Sequence, residues 1–443
     1  MSVTIEFGSQ LKEIHTDRAP VPLMQPPVAP LQDVRQAVAE ALEHPLGYPP
    51  LTDAILEGDR VTVAIGGGVP QLPAVLAGII RTLSRASLDV SRVQVLLADE
   101  RDQEEDLIAD LPAEWKSITI QSHDPGNRDG LGYLAADKSG KPIYFGRAIL
   151  DADFVIPVSV AYPAGSLGEF GIHGGLLPNF GDAATVKQFA AMPSSARESG
   201  TAAASEAGWL LGSRFTVQVV PASRGQIAQV FAGDIDAVEP ACRDAVEEAW
   251  AAVTDQQPEL VVACLGSDGS RHTWRQAARA LDAATQIVSD TGTILICCEL
   301  AGRLGPALRE LATRRHEDDD VPSFTDDIFT ETVWDDEDDE SLEDESLEDE
   351  GLSHDPHAVE DEPGEFSHDL QLASVLRNAL HDHRVYLYSA LDEDDVASLG
   401  LIHVSNPHEI ANLCQRHGSY LILPDAECVR PRLEVETTPQ QPR

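Results

Sequence analysis

Five short apolar runs constrain this chain more than any other feature. Val61–Ile65, Val93–Ala98, Phe154–Val158, Leu260–Cys264 and Thr293–Cys298 carry almost no polar positions, and stretches of helical pattern lie between them. A strand without a polar face must be covered on both sides, and strands that alternate with helices build parallel sheets. Further strand signals occur at Ile118–Gln121, Ile143–Phe145, Val385–Tyr388 and Tyr420–Leu423. Helical patterns occur at Leu31–Glu43, Pro70–Ser84, Trp274–Val288, Leu304–Ala312, Leu370–Leu380 and His408–His417. The 443 residues exceed the usual size of one core. The expected fold is α/β: two domains with mostly parallel sheets and a cleft between them. The expected spans are 1–254, opening on a Pro-rich stretch, and 255–433, interrupted by an acidic low-complexity insertion at 316–369.

Charge supports that interruption. The formal net charge is −44, and Glu317–Asp369 holds 25 Asp and Glu with no Lys or Arg. Ser-Leu-Glu-Asp-Glu occurs there twice in tandem. Dense like charge with few apolar residues does not offset the entropy of ordering, so the segment is expected to be disordered. Docking of a basic protein partner is its functional alternative. A surface of this sign repels phosphate backbones, which excludes nucleic acid as a first partner. No apolar run reaches the length that spans a bilayer, and the N-terminus lacks a signal-peptide pattern. The expected setting is cytoplasmic, without a membrane. The six cysteines form no Cys-x-x-Cys pair and several lie within apolar runs, as small buried hydrophobes do.

Between Ser159 and Asp182 the strand–helix rhythm stops, and six glycines and two prolines fall in one loop directly after an apolar strand. Open α/β sheets place ligands at that end of a strand. The loop carries His173, and Glu169 precedes it by four positions. With His123 or Asp124 as partner, His173 is a candidate general base or metal ligand. The alternative is a histidine that hydrogen-bonds backbone, and the same holds for His272. Gly66-Gly67-Gly68 follows the first apolar run and could cradle a phosphate with its N–H groups, with Pro70 opening the next helix. It departs from the dinucleotide fingerprint, because Gln71 stands where a third glycine is needed. A tight structural turn explains it equally well.

The order of these elements resembles the lactate racemase family, nickel-pincer-nucleotide enzymes that invert 2-hydroxy acids. The resemblance runs through Gly66–Pro70, Ser122-His123-Asp124, Gly140–Ile143, Ala152–Ile156 and Gly171–Pro178. It continues in Pro258–Gly305, where Gln276-Ala-Ala-Arg279 matches a Gln-x-x-Lys pair of the family. It implies an isomerase fold with a cleft lined by Gly66, Gly67, Gly68, Gln276 and Arg279 for substrate. Gly174 and Gly175 would lie beside the cofactor, and His173, His123 and Asp124 are the candidate catalytic groups. No metal ligand is specified.

Several family residues are replaced. The acid–base histidines would fall within Ala98–Asp102 and Tyr162–Ala164, where no histidine occurs, and the turn's Asp and Arg are Gly66 and Val69. The lysine that tethers the nickel pincer nucleotide would follow Gly174-Gly175, but Leu176 and Leu177 stand there. The resemblance therefore implies a cofactor that the sequence does not tether. Arg279 keeps the ability to bind a carboxylate, more rigidly than Lys. The expected function is a divergent racemase-like protein for a small 2-hydroxy acid. The alternatives are a noncatalytic protein that binds a small anion and, third, a Rossmann-type oxidoreductase.

Overall fold

Each of the five apolar runs is a buried strand. The computed structural model describes residues 1–25, 28–86, 88–98, 107–108, 111–192, 196–267, 272–318 and 366–434. The first sheet contains β1 (Val61–Ile65), β2 (Val93–Leu97), β3 (Thr119–Ser122), β4 (Phe154–Val160), β5 (Phe215–Ala222) and β6 (Gln226–Asp234). Its order is β6-β5-β4-β1-β2-β3. All neighbours are parallel except β5 and β6, an antiparallel hairpin. The chain leaves β1 toward β2 and β3, then returns to place β4 on the other side of β1. That reversal opens a crevice beyond the carboxyl ends of β1 and β4, where such sheets bind ligands.

The second sheet is entirely parallel, with β7 (Leu260–Cys264), β8 (Thr293–Cys297), β9 (Arg384–Tyr388), β10 (Ile402–His403) and β11 (Tyr420–Leu423) in the order β10-β9-β8-β7-β11. The helices that matter for the cleft are α1 (Leu72–Leu83), α2 (Ala183–Ala190), α3 (Arg197–Leu211), α4 (Ile235–Trp250), α5 (Trp274–Thr285), α6 (Pro306–Asp318) and α7 (Phe366–Asp382). One core runs between the sheets: Val220 of β5 and Val246 and Trp250 of α4 pack with Val261, Ala277 and Leu281 of the second unit. Trp250 is fully buried, and its indole N–H donates to Pro221 O at 2.9 Å.

The structure departs from the sequence reading at several points. Residues Ser2–Phe7 and Gln10–His15 form an antiparallel hairpin. Its Ile5, Phe7 and Ile14 pack with Leu260, Val262 and Leu295 of the second sheet, although sequence order places the hairpin with the first unit. Ile143–Phe145 belongs to a separate hairpin of Leu131–Ala136 with Pro142–Gly146. Helix α1 starts at Leu72, with Pro73 in its first turn, so Pro70 is not its first residue.

Most of the acidic insertion, 319–365, lies outside the described residues. Asp369, counted within that insertion, belongs to α7 and is fully buried. Its carboxylate accepts the Leu308 N–H at 3.2 Å, capping the first turn of α6 from another helix. All six cysteines are buried thiols, and among the described residues no helix is long and apolar enough to cross a membrane. Asp369→Ala leaves a helix-end N–H without this partner, so a loss of about 1–3 kcal/mol is expected. A chemical denaturation midpoint unchanged from wild type would contradict this role.

Candidate functional site

A cavity of about 930 Å³ opens at the carboxyl ends of the first sheet. Gly66 and Gly67 after β1, Ala98 after β2, His123 after β3 and Ser159 in β4 form its floor, and α5 of the second unit faces them. The glycine-rich loop that leaves β4 lies between the two. A capping box of Thr273 and Gln276 starts α5. The helix then puts Arg275, Arg279 and Asp282 on its cavity side, at spacings of four and three residues.

Three guanidinium groups grip the loop by its backbone. Arg279 is 7% exposed, and its Nε donates to Leu167 O at 3.0 Å. Arg197 donates to Gly165 O and pairs with Asp282 at 3.2 Å, while Arg430 donates to Ala164 O. The Arg279 guanidinium also lies 3.4 Å from the centroid of the Tyr162 ring. Burial lowers the Arg279 pKa from its ordinary value, but a guanidinium stays protonated at physiological pH. Burial pushes the Tyr162 phenol up to about 12, with the charge of Arg279 acting in the opposite direction.

Glycine is required at two points of this arrangement. Gly168 has φ +72°, and a Cβ there would come within 2.9 Å of Gln371 of α7. A Cβ on Gly175 would stand 2.5 Å from the Ser159 side chain, so only glycine lets the loop lie against β4. Asn179 closes the loop by donating its amide to Gly174 O and Gly175 O, both at 3.2 Å. Arg275 reaches Asn179 Oδ1 at 3.3 Å from the second unit.

The structure brings Gly66, Gly67, His123, Gly174, Gly175 and Arg279 together on the cavity wall. The Gly66 N–H is spent on Val158 O at 2.8 Å, which removes one donor from the phosphate-cradle reading. His123 is 8% exposed, and its Nε2 bonds Gly181 O at 2.8 Å. A carbonyl only accepts, so Nε2 carries the proton, while Nδ1 faces Gly146 closely enough that a Cβ there would be 3.1 Å away. Burial lowers the His123 pKa from 6.5, so the ring is neutral near pH 7.

Four sequence candidates are not on that wall. Gly68 is the third glycine of the turn and does not line the cavity. Asp124 is exposed and accepts the Gly126 N–H at 2.8 Å, a turn contact. The His173 ring packs against Gly208 of α3, on the side of the loop away from the cavity. Gln276 is the other half of the capping box, its Oε1 accepting the Thr273 N–H at 2.8 Å. His272 also has a structural place: Nε2 donates to Gly266 O at 2.9 Å and Nδ1 accepts the Glu299 N–H at 2.7 Å.

Other wall residues were not singled out as candidates by sequence. Glu169 accepts the Gly171 N–H at 2.7 Å, and burial raises its carboxyl pKa. Asn179, Arg275, Ser159 and Gln218 are further polar groups on this wall. Gln218 did leave a signal, as a lone amide within the apolar strand Phe215–Ala222.

The fold and cavity define a two-unit α/β protein with a cleft at the switch point of its first sheet. Residues 7–197 match the family model described as the lactate racemase N-terminal domain. The whole chain resembles the lactate racemase apoprotein from Thermoanaerobacterium thermosaccharolyticum, with a TM-score of 0.69 at 17% identity over 98% of this chain and 100% of the other. A protein from Thermotoga maritima matches with a TM-score of 0.59 at 12% identity, over 93% of this chain and 100% of the other. At these identities the likeness is one of fold. A comparison with curated proteins finds no match.

The position that would tether the family's cofactor does not fit a lysine-linked group. Leu176 and Leu177 are 2% and 4% exposed and belong to a core cluster with Phe145, Phe170 and Phe180. Among the described residues, no lysine lines the cavity. Among the described residues, no group of three or more His, Cys, Asp or Glu is placed to hold a metal ion.

Two outcomes follow from this geometry. Arg279→Met deprives Leu167 O of a charged donor and Tyr162 of its cation, so it should lower stability by about 2 kcal/mol. Amide exchange in residues 163–169 should accelerate with it, and unchanged exchange there would contradict the clamp. His123 should titrate below 6.5 when its ring is followed by NMR. A histidine with a depressed folded pKa is protonated first in the unfolded chain. Wild type should therefore lose stability relative to His123→Asn as pH falls through 6.5 toward the folded value. A folded pKa above 6.5 would contradict the assignment.

Proposed function

We propose that this chain binds a small organic anion of the 2-hydroxy acid class in the cleft, on a lactate-racemase scaffold, without a lysine-tethered cofactor. The observation that carries this reading is the buried Arg279 guanidinium on the cavity wall. It stays charged, it is rigidly aimed by Leu167 O and Tyr162, and its remaining N–H groups match a carboxylate. Inverting a hydroxy acid through hydride transfer needs a proton acceptor on each face of the substrate. His123 is committed to Gly181 O, and His173 faces α3. Burial raises the carboxyl pKa of two wall residues, Glu169 and Asp282, but Asp282 is paired with Arg197 and Glu169 holds the Gly171 N–H, so neither is left as an unengaged base for a face of the substrate. Recognition is therefore the better supported function, and racemisation by the family route is not.

A second reading has one observation in its favour. A volume of about 930 Å³ lies near the top of the roughly 300–1,000 Å³ range of small-molecule sites. That leaves room for a nucleotide-sized group beside a small acid, as an isomerase with a noncovalent cofactor would need. Intact mass, nickel content and calorimetry with paired enantiomers of 2-hydroxy acids separate the two. The first reading expects the mass of the bare chain, heat of binding, and no interconversion of enantiomers. Interconversion accompanied by a nucleotide-sized ligand would favour the second reading. Absence of binding by any 2-hydroxy acid would overturn both.

A further inference from the structure

Two polar side chains on the cleft wall, Gln218 and Ser159, take no part in the arginine clamp and are buried in largely apolar strands. Gln218 lies in the middle of β5, all eight residues of which are buried, and is itself 4% exposed. Ser159, near the end of β4, is 7% exposed. Both line the cavity at the β1/β4 switch point, beside Gly66 and Gly175. They are joined: Gln218 Nε2 donates to Ser159 Oγ at 2.9 Å and to Thr216 Oγ1 at 2.8 Å. That uses both N–H groups of the amide. No described residue donates to Gln218 Oε1, and the Ser159 hydroxyl keeps its own proton to give.

A tie between β4 and β5 alone would not need that open acceptor and donor side by side on a cavity. Gln218 Oε1 is not among the enclosed atoms that lack a partner, so on this wall it is open to the cavity, where a ligand donor can reach it. An acceptor next to a donor is the complement of an alcohol, which both gives and receives a hydrogen bond. A carboxylate only accepts, and would be repelled by the amide oxygen. We propose that Gln218 and Ser159 form the subsite that reads the hydroxyl of the bound acid. Gln218 Oε1 accepts the proton of the ligand alcohol, and Ser159 Oγ–H donates to its oxygen. This rests on the reading of the cleft as a hydroxy-acid site and names the element that would make it selective.

Calorimetry with three pairs of acids tests it: lactate against propionate, malate against succinate, and 2-hydroxyglutarate against glutarate. In wild type at least one hydroxy acid should bind about tenfold or more tighter than its deoxy partner, as expected when a site built for a hydroxyl meets a ligand lacking it. Gln218→Met keeps the volume and removes the amide. It should bring that ratio to within about twofold of unity, with little change in affinity for the deoxy acid. A Gln218→Met protein that discriminates as wild type does, or a wild type that does not discriminate, overturns the subsite and leaves the cleft reading intact. No binding in any pair overturns the cleft reading, and the subsite falls with it. If Gln218→Met fails to fold, as judged by thermal melting, Ser159→Ala reads the same ratio. A fall of about threefold or more supports the proposal, and an unchanged ratio overturns it.

Discussion

The cleft depends on one kind of contact, a guanidinium donating to a backbone carbonyl of the loop after β4. A loop with six glycines loses a great deal of conformational freedom when it is ordered, and glycine side chains offer no packing in return. Arg197, Arg279 and Arg430 supply the compensation by binding three carbonyls within four residues, Ala164, Gly165 and Leu167. Two of these arginines come from the second unit, so contact between the units helps to hold the loop. Charged donors suit this task because their hydrogen bonds are about twice as strong as neutral ones.

The same clamp explains how little of the cleft's charge can be read from composition. The chain is strongly acidic, yet five arginines line this cavity, and three of them act mainly on the protein itself. An arginine at position 279 offers more than a positive charge. A guanidinium can hold Leu167 O and stack on Tyr162 while keeping N–H groups for a ligand, which an ammonium cannot do with the same rigidity. Leu176 and Leu177, which follow Gly174-Gly175, are core residues and do not line the cavity.

Much of the fold was legible in the sequence because parallel sheets need strands that are apolar on both faces. Val61–Ile65 and Leu260–Cys264 are such strands, and their ends in the structure match the apolar runs. The N-terminal hairpin was hidden by the Pro-rich stretch that follows, although Val3, Ile5 and Phe7 alternate with polar residues as a half-buried strand does. In the site, sequence pointed to Arg279 and to the loop itself. It misjudged Gln276, because a helix-capping residue and a binding residue look alike before the helix start is known. His173 was misleading for a related reason. A histidine in a glycine loop draws attention, but only the fold shows that its ring fills the space above Gly208. Gln218 and Ser159 were overlooked because they are far apart in sequence and meet only through the pairing of β4 with β5.

The central claim is that the crevice between the sheets, held by the arginine clamp, is where a small hydroxy acid binds. Hydrogen–deuterium exchange with and without a saturating 2-hydroxy acid tests this most directly. Protection confined to residues 66–69, 159–182 and 274–282 is the predicted result. Binding with protection elsewhere, or with none in the 159–182 loop, would contradict it.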